Sequence, residues 1–276
     1  MNETVNAPAK INFGLNVVEK RKDGFHNIET IFYPLSLSDT LAFSDSDKYI
    51  FETDNSILNS EKDNLITKAK NMLEEYTRKT INVKIHLSKK IPIGAGLGGG
   101  SSDAATTLIT LNRLFKLGLD SVQLNNLALK LGSDVPFFLN PFPAYGTSRG
   151  EILEQIDFKI KETILLINPG IFVSTKWAYE KITPQKPQLS LIDYYRRAKL
   201  NLDHYPDIIK NDFEKPVINE FQAIGKLKEE ICESGADFVL MSGSGSSLFG
   251  LFSDTEKSKN AKAQFEKRFF TYLQKA

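Results

Sequence analysis

The run Gly94-Ala95-Gly96-Leu97-Gly98-Gly99-Gly100-Ser101-Ser102-Asp103 holds five glycines in its first seven residues. Glycine reaches positive φ at little steric cost and lets backbone N–H groups come close to a ligand. The chain just before it, Ile81 to Leu87, alternates apolar and polar residues as a strand does. The chain after it predicts a helix from Ser102 to Phe115. The first amides of a helix lack intrahelical acceptors, and that end carries about half a positive charge. A glycine loop between strand and helix is therefore a phosphate cradle. Ser101 and Ser102 add hydroxyls for a phosphate or a magnesium ion.

Three phosphate-binding patterns can be compared with this loop. The Walker pattern G-x-x-x-x-G-K-[ST] fits Gly94 and Gly99 but meets Gly100 where lysine belongs. The dinucleotide fingerprint fits Gly94, Gly96 and Gly99. Its acidic partner would be Asp120, which follows Lys116-Leu117-Gly118-Leu119, a turn and not the end of a second parallel strand. The H-R-D and D-F-G motifs of protein kinases are absent from the sequence. The remaining alternative is a flexible glycine linker, against which the helix signal directly after the loop argues.

The elements that must position this loop belong to a chain of 276 residues. At about 150 residues per domain this is one large domain or two modest ones. A hydrophobic fraction of 41% is ample for a buried core and too high for a disordered chain. The balance of 35 basic and 34 acidic side chains gives +1, so no nucleic-acid or membrane-surface partner is expected. The single cysteine, Cys232, excludes an intrachain disulfide and suits a reducing cytoplasm, where the protein is placed. Residues Met1 to Lys10 lack the apolar run of an export signal, and no stretch approaches a membrane span. The sequence leaves the oligomeric state open.

Strands are predicted at Val5 to Val18 and at Ile28 to Phe43, the latter broken near Pro34. After Asp63-Asn64, the residues Leu65, Ile66, Ala69, Met72, Leu73 and Tyr76 trace one helical face. A third helix is predicted from Val122 to Leu131, and a strand from Thr163 to Ile167. The C-terminal part predicts a helix from Pro216 to Glu233 and strands at Asp237 to Met241 and Ser247 to Phe252. A last helix is predicted from Thr255 to Leu273. The division adopted is residues 1–155 and 156–276.

The loop from Pro92 to Ala104, together with Ser242-Gly243-Ser244-Gly245-Ser246-Ser247, resembles the GHMP kinases, whose glycine motifs stand in these two places. The ordered set Ala7-Pro8-Ala9-Lys10-Ile11-Asn12-Phe13, Lys22-Asp23-Gly24-Phe25-His26, Asp63-Asn64-Leu65-Ile66 and Gly132-Ser133-Asp134-Val135-Pro136-Phe137-Phe138 is similar to a narrower branch. That branch acts on a cytidine diphosphate ester of methylerythritol, a small-molecule substrate of non-mevalonate isoprenoid synthesis. The resemblance implies an α+β fold: an N-terminal ATP-binding domain of ribosomal-S5-domain-2-like type and a C-terminal substrate-binding domain of ferredoxin-like type. ATP and substrate would meet in the cleft between them. It also implies Mg²⁺ with the ATP, and phosphorylation of a hydroxyl to give the 2-phosphate.

The resemblance implies that ATP is held by Pro92, Gly94, Ala95, Gly96, Leu97, Gly98, Gly99, Gly100, Ser101, Ser102, Asp103 and Ala104, with Asn64 and Leu65 bordering the adenine. Asn64 equally suits the N-cap of its helix. Asp134 is implied as the general base, although on residue type alone it suits a cap or turn as well. Lys10 is its implied partner; an ammonium about 4 Å away is worth on the order of 4 kcal/mol at an effective dielectric near 20. A lysine is ordinarily exposed, but Lys10 sits among Ala9, Ile11 and Phe13 in an expected strand. For the substrate, Phe25 stands where the family usually has tyrosine and keeps a ring face for cytosine. His26 would read the cytosine edge, Asn12 the methylerythritol hydroxyls, and Tyr179 would be a second stacking ring. Tyr179 suits ordinary core packing too, and His26 a surface turn. The second glycine-serine motif either shapes the floor of the cleft or is only a tight hairpin. Ser148-Arg149-Gly150-Glu151 stands where the family often has G-R-G-E, which puts the local backbone shape in question. His86 and His204 lack metal-like spacing, so no zinc is assigned. Another GHMP kinase, or a non-catalytic nucleotide-binding protein, are the competing readings. The Asp23 to His26 turn speaks against the first, and Lys10 with Asp134 against the second.

Overall fold

The computed structural model describes residues 2–56, 58, 64–198 and 208–275; Asp63 and His204 lie outside the described residues. The chain divides into two compact units. One comprises Met1–Ala9, Leu35–Ile93 and Gly98–Pro141, the other Lys10–Pro34, Gly94–Leu97 and Phe142–Ala276. Strands β1 (Asn2–Lys20) and β2 (His26–Asp45) contribute residues to both.

In the first unit, β4 (Val83–Ser88) pairs antiparallel with Thr40 to Asp45 of β2 and parallel with β3 (Ile50–Thr53). Helices α1 (Leu65–Thr77), α2 (Gly99–Leu114), α3 (Ser121–Leu131) and α4 (Val135–Leu139) pack on one another. The expected face of α1 buries Ile66, Ala69 and Leu73, whereas Tyr76 is exposed. Helix α3 opens with a capping box of Asp120 and Gln123. Helix α2 begins three residues earlier than predicted. Gly98, at φ +70°, turns the chain so that its carbonyl already accepts from Ser102 N.

In the second unit, β5 (Ala144–Thr147) pairs antiparallel with Thr30 to Phe32 of β2 and with β6 (Ile152–Gln155). Strands β7 (Thr163–Asn168), β8 (Phe238–Met241), β9 (Leu248–Phe252) and β10 (Phe270–Gln274) form an antiparallel sheet in the order β10-β7-β9-β8. Helices α5 (Thr175–Glu180), α6 (Leu191–Ala198), α7 (Glu214–Glu220) and α8 (Gln222–Glu233) precede β8, and α9 (Thr255–Phe265) joins β9 to β10. With α8 and α9 as its crossovers, β7-α8-β8-β9-α9-β10 is a split βαβ arrangement, the ferredoxin-like order. Its core joins Leu165, Ile167, Leu227, Ile231, Met241, Leu248, Phe252 and Phe265.

Three elements differ from the sequence prediction. Strand β2 continues through Pro34, which lies between the stretches that pair with β5 and β4. The helix predicted to Leu273 stops at Phe265, and Phe270 to Gln274, rich in aromatic and β-branched residues, pairs with β7 instead. The helix predicted over 216–233 is two helices that meet at Phe221, whose φ/ψ of −114°/73° is not helical.

Candidate active site

From Ala9 to Val17, β1 is buried at every residue, so its polar side chains are the informative ones. Lys10 is 3% exposed; its Nζ donates to Asn12 Oδ1 at 2.5 Å and lies 5.2 Å from the centre of the Phe32 ring. Asn12 Nδ2 donates to Thr30 Oγ1 at 2.9 Å, and that hydroxyl donates to the Gly14 carbonyl. The Asn12 side chain thus holds the Lys10 ammonium from one end and is itself anchored from the other.

The first half of the glycine loop is hydrogen-bonded to the same strand: Lys10 N donates to Leu97 O at 3.0 Å. Ser242 extends the connection. Its Oγ accepts from Asn12 N at 3.2 Å and donates to Gly96 O at 2.9 Å. Ser247 N donates to Ala95 O, and Asn211 Nδ2 donates to the carbonyls of Met241 and Gly243. The Ser242 to Ser247 turn is the hairpin between β8 and β9, and within this unit it is also hydrogen-bonded to the first half of the glycine loop.

The Asp23 to His26 turn is tied down by Arg21, which pairs with Asp23 and donates to Ser148 Oγ at 2.8 Å. Phe25 is 49% exposed, with the Arg149 guanidinium 4.6 Å over its ring. Ser148 takes φ +61°, the left-handed conformation a glycine would adopt freely. Ile28 N donates to its carbonyl and its hydroxyl donates to Glu151 Oε1. The serine therefore keeps the turn that the missing glycine put in question. His26 and Tyr179 stack at 4.7 Å and 14°, and Tyr179 meets Phe213 edge-on. Tyr179 is a core-packed ring, and the ring it stacks on is that of His26. Burial, and then the Lys20 charge, lower the pKa of His26, which favours the neutral ring.

In the first unit, Asn64 caps α1 through Oδ1, which accepts from Thr67 N at 2.9 Å. Leu65 Cδ1 stands 3.5 Å from where a Gly100 Cβ would be, so this residue borders the second half of the glycine loop. Pro92 is half-buried, and Ala104 is fully buried in α2. Ser102 Oγ is buried without a hydrogen-bond partner among the described residues. Asp103 turns into the protein and pairs with Lys89, which also pairs with Asp39. Burial pushes the Asp103 carboxyl up to about 7, against the pull of the Lys89 charge and with the Asp39 charge adding to it. Asp134, half-buried just before α4, makes no side-chain cap bond to that helix. The cap that its residue type suggested is not formed.

Asp39, Lys89, Ser242 and Arg149 carry connections that the sequence reading missed. Lys89-Lys90 before Ile91-Pro92 reads as a solvated pair, and the signal for Lys89 is an ammonium placed between two buried carboxylates far apart in sequence. Among the described residues no group of three or more His, Cys, Asp or Glu side chains could hold a metal ion.

A phosphate-type glycine loop hydrogen-bonded to a strand with a buried lysine, in a chain with a ferredoxin-like sheet, defines a small-molecule phosphotransferase. The chain belongs to the GHMP kinase family: residues 64–140 match the GHMP kinases N terminal domain and residues 195–271 match the GHMP kinases C terminal domain. A protein of Chlorobium phaeobacteroides named 4-diphosphocytidyl-2-C-methyl-D-erythritol kinase is 40% identical, over 96% of this chain and 94% of that relative. One of the same name from Parabacteroides distasonis is 42% identical, over 93% of each. A crystal structure of 4-(cytidine 5'-diphospho)-2C-methyl-D-erythritol kinase, 32% identical, superposes with a TM-score of 0.84 and covers 98% of both chains. A mevalonate kinase structure, 16% identical with a TM-score of 0.69, shares the fold.

Proposed function

We propose that this protein transfers the γ-phosphoryl group of ATP to a hydroxyl of 4-diphosphocytidyl-2-C-methyl-D-erythritol, giving the 2-phosphate in non-mevalonate isoprenoid synthesis. The observation that carries the chemistry is the Ser242 hydroxyl, which joins Gly96 of the loop to Asn12, the residue that holds Lys10. The names of the relatives, matched over nearly the whole chain, support the substrate.

Phosphoryl transfer needs phosphates held in line, charge neutralised on the moving group and a hydroxyl that gives up its proton. Residues 1–155 would bind ATP, with the amides of the loop from Gly94 to Ser102 on its phosphates and Asn64 and Leu65 at the adenine. Magnesium takes oxygen ligands and keeps several waters and phosphate oxygens. Ser102 Oγ, buried and unpartnered among the described residues, fits that donor set. When bound, the ion neutralises phosphate charge. Asp134 accepts the proton of the substrate hydroxyl, and the Lys10 ammonium favours the negative charge that develops on that oxygen. Residues 156–276 would complete the substrate site with Tyr179, beside Phe25, His26 and Asn12 from the N-terminal part. The enzyme would work in the cytoplasm.

The open face of Phe25 is assigned to cytosine. Phe25→Ala is expected to raise KM for the cytidyl ester by about tenfold, since base stacking on an aromatic side chain is worth about 1–3 kcal/mol. KM for ATP should stay within about twofold on the same scale. Steady-state kinetics with each ligand varied in turn test this, and equal losses for both would remove the stacking role.

A further inference from the structure

We propose that Lys89 is a positioning residue for the nucleotide, its ammonium tying the entry of the glycine loop to its exit through Asp39 and Asp103. The proposal rests on the reading that this loop holds ATP.

All the atoms involved lie in the first unit. Lys89 Nζ is 2.5 Å from Asp39 Oδ2 and 2.7 Å from Asp103 Oδ2, and all three side chains are at most 4% exposed. The other oxygen of Asp39 accepts from Lys90 N at 2.6 Å and Ile91 N at 2.8 Å. Lys89 N donates to Asp54 Oδ1 at 3.0 Å. Carboxylates thus hold three successive amides just before Pro92, where the loop begins. Asp103 stands at the far end of the loop, in the second turn of α2. One ammonium therefore bridges the two ends of a segment that, being mostly glycine, has little of its own to fix its shape.

Gly99 gives independent support. It has no positive φ that would call for glycine, yet a Cβ there would come within 3.0 Å of both Lys89 Nζ and Ile91 Cγ2. Helix α2 opens on a residue that leaves room for the lysine. Stability alone does not require this arrangement, because apolar side chains of similar volume often replace a buried ion cluster without loss. What apolar packing does not supply is directional bonding between two fixed points, here the strand end and the helix on which the amides are mounted.

Asp103→Leu removes the bridge, and Asp103→Asn keeps an acceptor for Lys89. The expected result is a rise of about tenfold or more in KM for ATP in the leucine variant, the scale of one lost charged hydrogen bond. KM for the cytidyl ester should change by less than about twofold, and the asparagine variant should recover most of the loss. A non-hydrolysable ATP analogue should stabilise the leucine variant less than the wild type in thermal unfolding. Should Asp103→Leu fail to fold, the double variant Lys89→Met/Asp103→Asn leaves Asp39 on its two backbone amides and gives the same readout. A lowered Tm with both KM values unchanged, or an equal rise in both, overturns the proposal. Gly98→Val separates the two readings. If it raises KM for ATP while Asp103→Leu does not, the positioning role alone fails. If neither variant does, the loop reading fails as well.

Discussion

Asp134→Ala is expected to lower kcat by about 10²–10⁴-fold, the range in which a positioned proton acceptor contributes. KM for ATP should remain within about threefold, because the loss is confined to the acceptor hydroxyl. The carboxylate precedes α4 without making a side-chain cap bond to that helix, so its removal strips no cap. Lys10→Ala is expected to match it in kcat and to lose stability as well. Lys10 is buried, and truncation strips Asn12 Oδ1 of its donor, costing about 1–3 kcal/mol. Lys10→Ala should therefore lower Tm by several degrees. Rates of ADP release and thermal unfolding of each variant check both statements. Wild-type-like turnover in either variant would remove that residue from the chemistry.

The loop could be found because five glycines before a helix break a local pattern, whereas the roles of Lys10 and Asp134 came from the resemblance to a family. Helices α1 to α3 are long enough for periodicity and end signals to register, and the short strands β7 to β9 were legible as compact apolar runs. Elements of four to six residues, such as β5, β6 and α4, are too short for periodicity to register. Phe270 to Gln274 became a strand only because β7 offered it an edge, which is tertiary information. Ser242 lies 146 residues from Gly96, and Asp39 lies 50 from Lys89, so no window along the chain connects them. Ser148 is the converse case. Its residue type argued against the turn, and hydrogen bonds from elsewhere in the fold sustain it.

Gly96→Ala is expected to lower both stability and turnover, for reasons that separate cleanly. At φ +75°, any L side chain costs about 1–2 kcal/mol in left-handed strain. That term alone would lower Tm by a few degrees. The added Cβ would also stand 2.1 Å from the Ser242 carbonyl oxygen, which no Cβ tolerates, and the obstacle is backbone. Either the loop or the hairpin must move. The Ser242 carbonyl accepts from Gly245 N while its hydroxyl binds Gly96 O and Asn12 N, so either movement disturbs the support of Lys10. A displacement of about 1 Å at reacting groups costs on the order of 10²-fold in rate. Gly118 is the matched control, with φ +79° and nothing within 4 Å of an added Cβ. Gly118→Ala should share the strain and keep wild-type turnover. If the two variants lose Tm equally and both keep full activity, the contact between Gly96 and Ser242 has no part in organising the site.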